Sequence, residues 1–209
     1  GARARAPYAR AFAQARAAGR VRGLADATRG AARMLREMGQ LEEAEEQAEL
    51  SREIAARCGL PLEAARAVNT LGTIRFIGGE LHEAVRLYEA TLECAREVRD
   101  DDLIGLTCVN QGVIANIRGD LRAAFASYLE SIAAAVRTGN VQAFVMGYNN
   151  LGMLANLGGR HDDAGGAFFR LLGLIDKGPV LRRFEGALIG HAQRSEIELV
   201  RRFQLDRSF

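Results

Sequence analysis

The sequence contains few of the residues that build strands, disulfides or membrane spans. Only 3 prolines and 3 cysteines occur among its 209 residues, and tryptophan is absent. Runs of alternating valine, isoleucine and threonine are missing, which argues against strands, whereas the abundant alanine and leucine favour helices. No apolar run approaches the roughly 20 residues that a bilayer span requires, and the arginine-rich beginning leads into no signal-type apolar core. The composition therefore predicts an all-helical protein with no membrane segment.

Cysteine spacing and charge exclude further classes. The cysteines, Cys58, Cys94 and Cys108, are irregularly spaced, so they predict neither a disulfide framework nor a metal site, and they suit a reducing, cytoplasmic compartment. A formal net charge of +2 gives the chain no strong attraction to nucleic acid or membrane. The histidines stand in separate segments, and none lies near a cysteine or a pair of carboxylates at ligand spacing. Because no nucleophile has a base at a suitable spacing either, we expect no enzyme, no metal and no cofactor.

The sequence does contain a repeat with a period of forty residues. A glycine column has this period at Gly39, Gly79, Gly119 and Gly159, and an alanine column has it at Ala44, Ala84, Ala124 and Ala164. Two further columns hold small residues (Ala32, Gly72, Gly112 and Gly152) and mostly aromatic ones (Ala48, Tyr88, Tyr128 and Phe168). Small side chains let two helices approach to about 8–10 Å, and the aromatic ring then fills the space beside them.

Each period indicates two amphipathic helices joined by a turn at the glycine. The pattern predicts helix pairs at 61–77 and 81–98, at 101–117 and 121–137, and at 141–157 and 161–175. It predicts a single array over 1–209, made of the second helix of a truncated repeat (1–20), repeats at 21–58, 59–98, 99–138 and 139–178, and a terminal or capping helix (179–209). Because the chain has no initiator methionine and begins inside a helical pattern, we expect it to be part of a larger protein.

Three segments resemble tetratricopeptide repeats: VNTLGTIRFIGGELHEAVRLYEATL (68–92), NNLGMLANLGGRHDDAGGAFFRLL (149–172) and, more loosely, VNQGVIANIRGDLRAAFASYLESI (109–132). The resemblance is to the longer, forty-residue variety found in bacterial signalling proteins and in kinesin light chains, and it covers nearly the whole chain. It implies an all-α tetratricopeptide-like solenoid, a right-handed superhelix of stacked antiparallel helix pairs. In such a superhelix the first helices line a concave inner face on which peptides dock.

By this resemblance, the stripe of first-helix residues spaced i, i+4 and i+7 faces the groove. The predicted ligand-binding residues on it are Asn69, Thr73, Phe76, Asn116, Asn149, Met153 and Asn156. Asparagine is a poor residue for a helix interior, but its amide can both donate to and accept from the main chain of an extended ligand. Two further first-helix asparagines, Asn110 and Asn150, could instead tie adjacent helices together. The stripe residues Val109 and Val113 could form the floor of the groove or merely pack.

Arginines occupy the same stripe in the first complete repeat, at Arg29, Arg33 and Arg36. If they face the groove, this end should favour acidic side chains or a C-terminal carboxylate on a partner. The alternative interpretation is a solvated helix face that binds nothing.

The function predicted from the sequence is that of a protein- or peptide-binding scaffold, a sensory or regulatory segment of a larger bacterial signalling protein. The expected partner is a protein or peptide, acidic at one end, and neither nucleic acid nor a membrane. Nucleic-acid binding is disfavoured because the net charge is slight and aromatic residues do not recur on the stripe. A second hypothesis is a homo-oligomer, in which uncovered terminal repeat faces pair between protomers.

Overall fold

The computed structural model describes residues 19–158 together with Gln14 and Ala17, and side chains as far as Leu154. Almost all of the segment 1–20, Gly159, the predicted helix at 161–175 and the terminal segment 179–209 lie outside the described residues. Within 19–158 the chain forms seven α-helices and no strand: α1 (Val21–Glu37), α2 (Leu41–Arg57), α3 (Pro61–Ile77), α4 (Leu81–Glu97), α5 (Asp101–Ile117), α6 (Leu121–Thr138) and α7 (Val141–Gly158). The predicted all-α class is confirmed. The helices α3 and α5 have the predicted bounds, and α4, α6 and α7 differ from prediction only in their last residue.

The chain divides into two compact units, residues 1–103 and 104–209, with the boundary inside α5. In the first unit each helix packs against the next from α1 to α4, and α1 also contacts α3. In the second unit α6 packs against α7. Neighbours in sequence are therefore neighbours in space within each unit, as expected for a repeat array.

The helix pairs of the first unit are antiparallel and stacked. The hydroxyl of Ser51, late in α2, donates to the carbonyl oxygen of Ala25, early in α1, at 2.7 Å. The start of α1 is joined to the start of α3 by an ion pair, in which Arg22 Nε lies 2.7 Å from Glu63 Oε1. Two helices of one pair thus run in opposite directions, and the first helices of successive pairs run in the same direction.

Left-handed glycines end the first helix of each described pair. The φ angle is +78° at Gly39, +83° at Gly79 and +77° at Gly119, a conformation that glycine adopts without steric strain. The N–H of the next residue then turns back to the helix, as where Glu80 donates to the carbonyl oxygen of Arg75 at 2.9 Å. The glycine column of the sequence therefore corresponds to the turn inside each repeat.

The junctions between repeats use the same left-handed turn. Gly59 and Gly139 have φ angles of +64° and +69°, and Arg99 takes the equivalent place with a φ of +56°. After Gly139, the Asn140 side chain accepts the N–H of Ala143 at 3.0 Å and so caps α7. The conformation at Arg99 is unfavourable for any residue that carries a Cβ atom.

The apolar core follows the small and aromatic columns. One cluster of the first unit contains Ala32, Ala44, Ala48, Leu71 and Ile74. The cluster of the second unit contains Ala124, Tyr128, Ile132, Ala135, Phe144, Tyr148, Leu151 and Leu154. Tyr88 and Tyr128 are only 1% and 2% exposed, as expected of core residues. A methyl group at Gly72 would lie 2.7 Å from Cε1 of Tyr88, and one at Gly112 would lie 2.5 Å from Cε1 of Tyr128, so each glycine makes room for the ring beside it.

Candidate binding surface

The helix α7 exposes one face and buries the other. Its exposed residues are spaced by four, three and four positions: Gln142, Met146, Asn149 and Met153. The buried face contributes Phe144, Tyr148, Leu151 and Leu154 to the core of the second unit. Because this spacing follows one side of a helix, the exposed residues form a stripe along α7. We call this stripe and the equivalent residues of α1, α3 and α5 the first-helix stripe. The side chain of Asn156 lies outside the described residues.

The helix α5 exposes the equivalent face in the second unit. Leu106 is 48% and Ile117 is 58% exposed, with Val113 and Asn116 half-buried between them. Val113 also packs against the core cluster to which α7 contributes. Val109 is buried, so it serves packing more than the surface.

Three apolar residues of this surface, Leu106, Ile117 and Met146, were not among those predicted from the sequence. Met146 precedes Met153 by seven residues, and Leu106 precedes Val113 by the same distance, which is about two helical turns. The same periodicity would have identified Leu106 and Met146 if the stripe had been extended toward the start of each helix. We call Leu106, Val113, Met146, Asn149 and Met153 the second-unit stripe. It is largely apolar, and α7 carries no charged residue over its length.

In the first unit the stripe on α1 is cationic and partly neutralised. Arg29 Nη2 lies 2.9 Å from Asp26 Oδ1, and Arg36 Nη2 lies 3.3 Å from Glu37 Oε1. Arg33 is exposed and has no ion pair within the part of the chain that the structure describes. The three predicted arginines therefore share one helix face, and Arg33 carries its least compensated charge.

The stripe on α3 is largely covered. Asn69 is 5% exposed, and Thr73 and Phe76 are half-buried. The Thr73 hydroxyl donates to the carbonyl oxygen of Asn69 at 3.1 Å and accepts from the Tyr88 hydroxyl at 3.2 Å. Burial raises the pKa of the Tyr88 phenol, against the opposing effects of the Thr73 hydrogen bond and the positive charge of Arg36. Thr73 thus holds the Tyr88 hydroxyl at the stripe, whereas the buried Asn69 side chain offers a ligand little surface.

Stacked antiparallel helix pairs with a recurring contact between a small and an aromatic residue define an α-helical repeat protein. Its repeats are TPR-like, as in two solved structures, and the predicted tetratricopeptide-like fold is thereby confirmed. BtubC (BKLC) from P. vanneervenii is 19% identical with a TM-score of 0.59, and the match covers 82% of this chain and 66% of BtubC, just under two thirds of its length. The nearly identical TPR-like repeats of a Podospora anserina protein assigned as a kinesin light chain are 16% identical with a TM-score of 0.58, over 90% of this chain and 98% of that one. No protein-family profile and no curated protein matches the sequence.

We also searched residues 19–158 for membrane-spanning helices, metal sites and reactive cysteines. Between residues 19 and 158, none of the helices has the length and apolar character needed to cross a membrane. The same residues contain no group of three or more His, Cys, Asp or Glu side chains that could hold a metal ion. None of the three cysteines, which all lie within the described residues, forms a disulfide, and burial raises the pKa of the Cys94 thiol, which lowers its reactivity. In each unit, the candidate binding surface is the exposed part of its own first helices.

Proposed function

We propose that this chain is a protein- or peptide-binding scaffold that holds its ligand on the first-helix stripe. The supporting observation is the second-unit stripe, where Met146 is 47% and Met153 is 60% exposed. Apolar side chains grouped on one exposed face mark interaction sites more often than they serve folding. Asn149, exposed between the two methionines, adds a donor and an acceptor. TPR-like repeats are generally protein-interaction scaffolds, which agrees with this proposal.

The stripe of the first unit suits acidic groups of a ligand. Arg33 is exposed, and the ion pair of Arg36 joins it to Glu37, whose side chain is 66% exposed. Ion pairs in such exposed positions contribute little free energy, so a ligand carboxylate can replace Glu37 at small cost. We therefore propose that Arg29, Arg33 and Arg36 bind acidic side chains or a C-terminal carboxylate. The concave shape of the groove remains a prediction.

We further propose that the scaffold is non-catalytic, works in the cytoplasm and belongs to a larger bacterial signalling protein. Cysteines that form no disulfide suit a reducing compartment, and the forty-residue repeat resembles those of bacterial signalling proteins. The complete reading frame tests the last point. An adjoining cyclase, kinase, ATPase or DNA-binding domain would support it, and a reading frame without any effector domain would contradict it.

The test of the binding surface is the double variant Asn149→Ala with Asn156→Ala. A partner is identified by pull-down with the chain, and its Kd is then measured by calorimetry. Loss of both amides should weaken the Kd at least about tenfold, equivalent to about 1.4 kcal/mol, while the melting temperature barely changes because Asn149 is exposed. The control Arg122→Ala, exposed on α6 outside the stripe, should bind like the wild type. Unchanged affinity in the double variant would refute the stripe as the binding surface.

A second candidate function is self-association, which an exposed face of α1 favours. Met34 and Met38 are 66% and 70% exposed. Ile74, the equivalent of Met34 in the next repeat, is 3% exposed because it packs in a cluster with Ala44 and Ala48 of α2. A second copy of the chain that covered Met34 would bury it in the same way. Light scattering over a concentration series decides the matter, since a strict monomer at high concentration contradicts self-association.

A further inference from the structure

The apolar residues of the second-unit stripe have the same spacing along α5 as along α7. Met146 and Met153 stand seven residues apart on α7, and Leu106 and Val113 stand seven apart on α5. At a rise of 1.5 Å per residue, each pair is separated by about 10.5 Å along its helix. The two pairs also occupy the same positions of successive repeats. The surface therefore has two rows of apolar side chains, one on each helix, and the two side chains of each row are about 10.5 Å apart along the helix.

A helical ligand matches this distance and an extended ligand does not. Residues i and i+7 of a helix lie on one face and are also about 10.5 Å apart. Side chains on one face of an extended strand recur about every 6.6 Å. They therefore fall at roughly 6.6 and 13 Å along the ligand, and neither distance matches the separation of about 10.5 Å within each row. Methionine side chains, which are flexible, can adapt to the ridges of a packed helix.

The charge at one end of the stripe indicates the direction of the ligand. Residues 104–117 of α5 and all of α7 are uncharged. Immediately after α5, Arg118 is exposed and has no ion pair among the described residues. Acidic groups of a ligand at this end would pair with Arg118. Acidic residues are most favourable in the first turn of a helix, so a ligand helix would begin at Arg118 and run antiparallel to α5.

We propose that the second-unit stripe binds an amphipathic helix of a partner protein, which has an uncharged apolar face and acidic residues in its first turn. This inference rests on the proposed scaffold function and narrows its ligand from any peptide to a helical one. The ligand helix packs its apolar residues against Leu106, Val113, Met146 and Met153. On this surface, side-chain packing provides most of the affinity, and the exposed Asn149 amide adds hydrogen bonds to polar side chains of the ligand.

The probe is a fluorescent synthetic amphipathic peptide of about 18 residues, with leucines at i, i+3, i+7, i+10 and i+14 and two glutamates in its first turn. One matched peptide carries two central prolines that break the helix, and another has lysines in place of the glutamates. Binding to the full chain is followed by fluorescence anisotropy. The helical acidic peptide should bind, and both matched peptides should bind at least about tenfold more weakly.

Variants of the chain locate the binding surface. Met146→Glu with Met153→Glu should weaken the helical peptide at least about tenfold, because it places charge under the apolar face of the ligand. The control is Ala126→Glu, which adds a charge at an exposed residue within α6. It should leave the affinity unchanged. Far-ultraviolet circular dichroism of each variant confirms that the chain is still folded.

The outcomes separate this inference from the scaffold proposal. Equal affinity for the helical and the proline peptides would overturn the helical ligand, while the scaffold proposal would still rest on the asparagine double variant. Failure of all three peptides to bind, or binding that ignores the methionine variants, would also overturn the inference. A change in oligomeric state of the methionine variant would identify a second copy of this chain as the occupant and would equally overturn it.

Discussion

The contact between Gly72 and Tyr88 gives the sharpest test of how the repeats hold together. A methyl group at position 72 would lie 2.7 Å from Cε1 and 2.9 Å from Cδ1 of Tyr88. The ring is 1% exposed, and its hydroxyl is bonded to Thr73 at 3.2 Å, so it has little room to move away. Gly72→Ala must therefore push α3 and α4 apart or force the ring out of its preferred rotamer.

Two opposing effects set the size of the change. Replacing a helical glycine by alanine gains about 1 kcal/mol of helix propensity, whereas overpacking a core costs about 1–3 kcal/mol. Gly72→Ala should therefore destabilise the chain by up to about 2 kcal/mol. At Gly30 of α1, an added methyl group would meet nothing within 4 Å. The control Gly30→Ala should therefore stabilise the chain by about 0.5–1 kcal/mol.

A double-mutant cycle removes the remaining ambiguity. Tyr88→Ala alone should cost about 3–5 kcal/mol, because it deletes a fully buried ring. In the double variant the methyl group added at position 72 no longer clashes, so the combined loss should be smaller than the sum of the single losses by about 1–3 kcal/mol. Urea denaturation followed by far-ultraviolet circular dichroism measures each free energy of unfolding. If Gly72→Ala stabilises as much as Gly30→Ala, or if the cycle is additive, the small and aromatic columns do not set the helix spacing.

Two further stability predictions use the same assay. Arg99→Gly should stabilise the chain by about 1 kcal/mol because glycine adopts the left-handed backbone conformation without strain. Arg99→Ala keeps the Cβ atom and should not stabilise the chain. Equal gains in the two variants would show that the arginine side chain, not the backbone, is responsible. Ser51→Ala should cost about 0.5–1.5 kcal/mol because it deletes a buried hydrogen bond to the carbonyl of Ala25, which keeps the bond from the Thr28 hydroxyl. Ser131→Ala, in the equivalent place, should change stability by less than about 0.5 kcal/mol, since the buried Ser131 hydroxyl has no hydrogen-bond partner within the described residues; similar losses at both serines would contradict this reasoning.

The helix positions could be predicted because the forces that set them act locally and recur. A glycine ends each first helix, and a small residue opposite an aromatic ring fixes the distance between the two helices of a pair. Each requirement leaves a similar residue type at the same place in most periods, although Ala48 replaces the ring in the first complete repeat. The helices α3 and α5 accordingly begin and end at the predicted residues.

The exposure of stripe residues could not be predicted in the same way. Asn69, Val109 and Asn149 occupy one position of successive repeats, yet the first two are 5% and 8% exposed and the third is exposed. Helical spacing fixes the direction of a side chain around its own axis. How much solvent reaches it depends on the size of the residues on the neighbouring helix, which the period does not encode. Leu106 and Met146 were missed because the predicted stripe began too late in each helix.

At Arg99 the backbone adopts a left-handed conformation that this residue type does not favour. A non-glycine residue with positive φ is uncommon, so the residue type at position 99 does not predict a left-handed turn. The N–H of Asp100 nevertheless donates to the carbonyl oxygen of Ala95 at 2.9 Å. After Gly59, the N–H of Leu60 makes the equivalent bond to the residue five positions back, also at 2.9 Å. The same hydrogen-bonded turn therefore forms at this junction even where its usual glycine is missing.

The residue type at one position of the first-helix stripe varies from repeat to repeat, which bears on why Met146 and Met153 are apolar. One stripe position carries Arg33, Thr73, Val113 and Met153 in successive repeats, and the helices form around each of them. The alanine column beside the turn does not vary in this way, because a larger side chain there would separate the paired helices. A position at which the fold accepts an exposed arginine does not need a methionine for folding. Met153 and Met146 are exposed together on one face without a structural requirement, which agrees with our proposal that a ligand covers them.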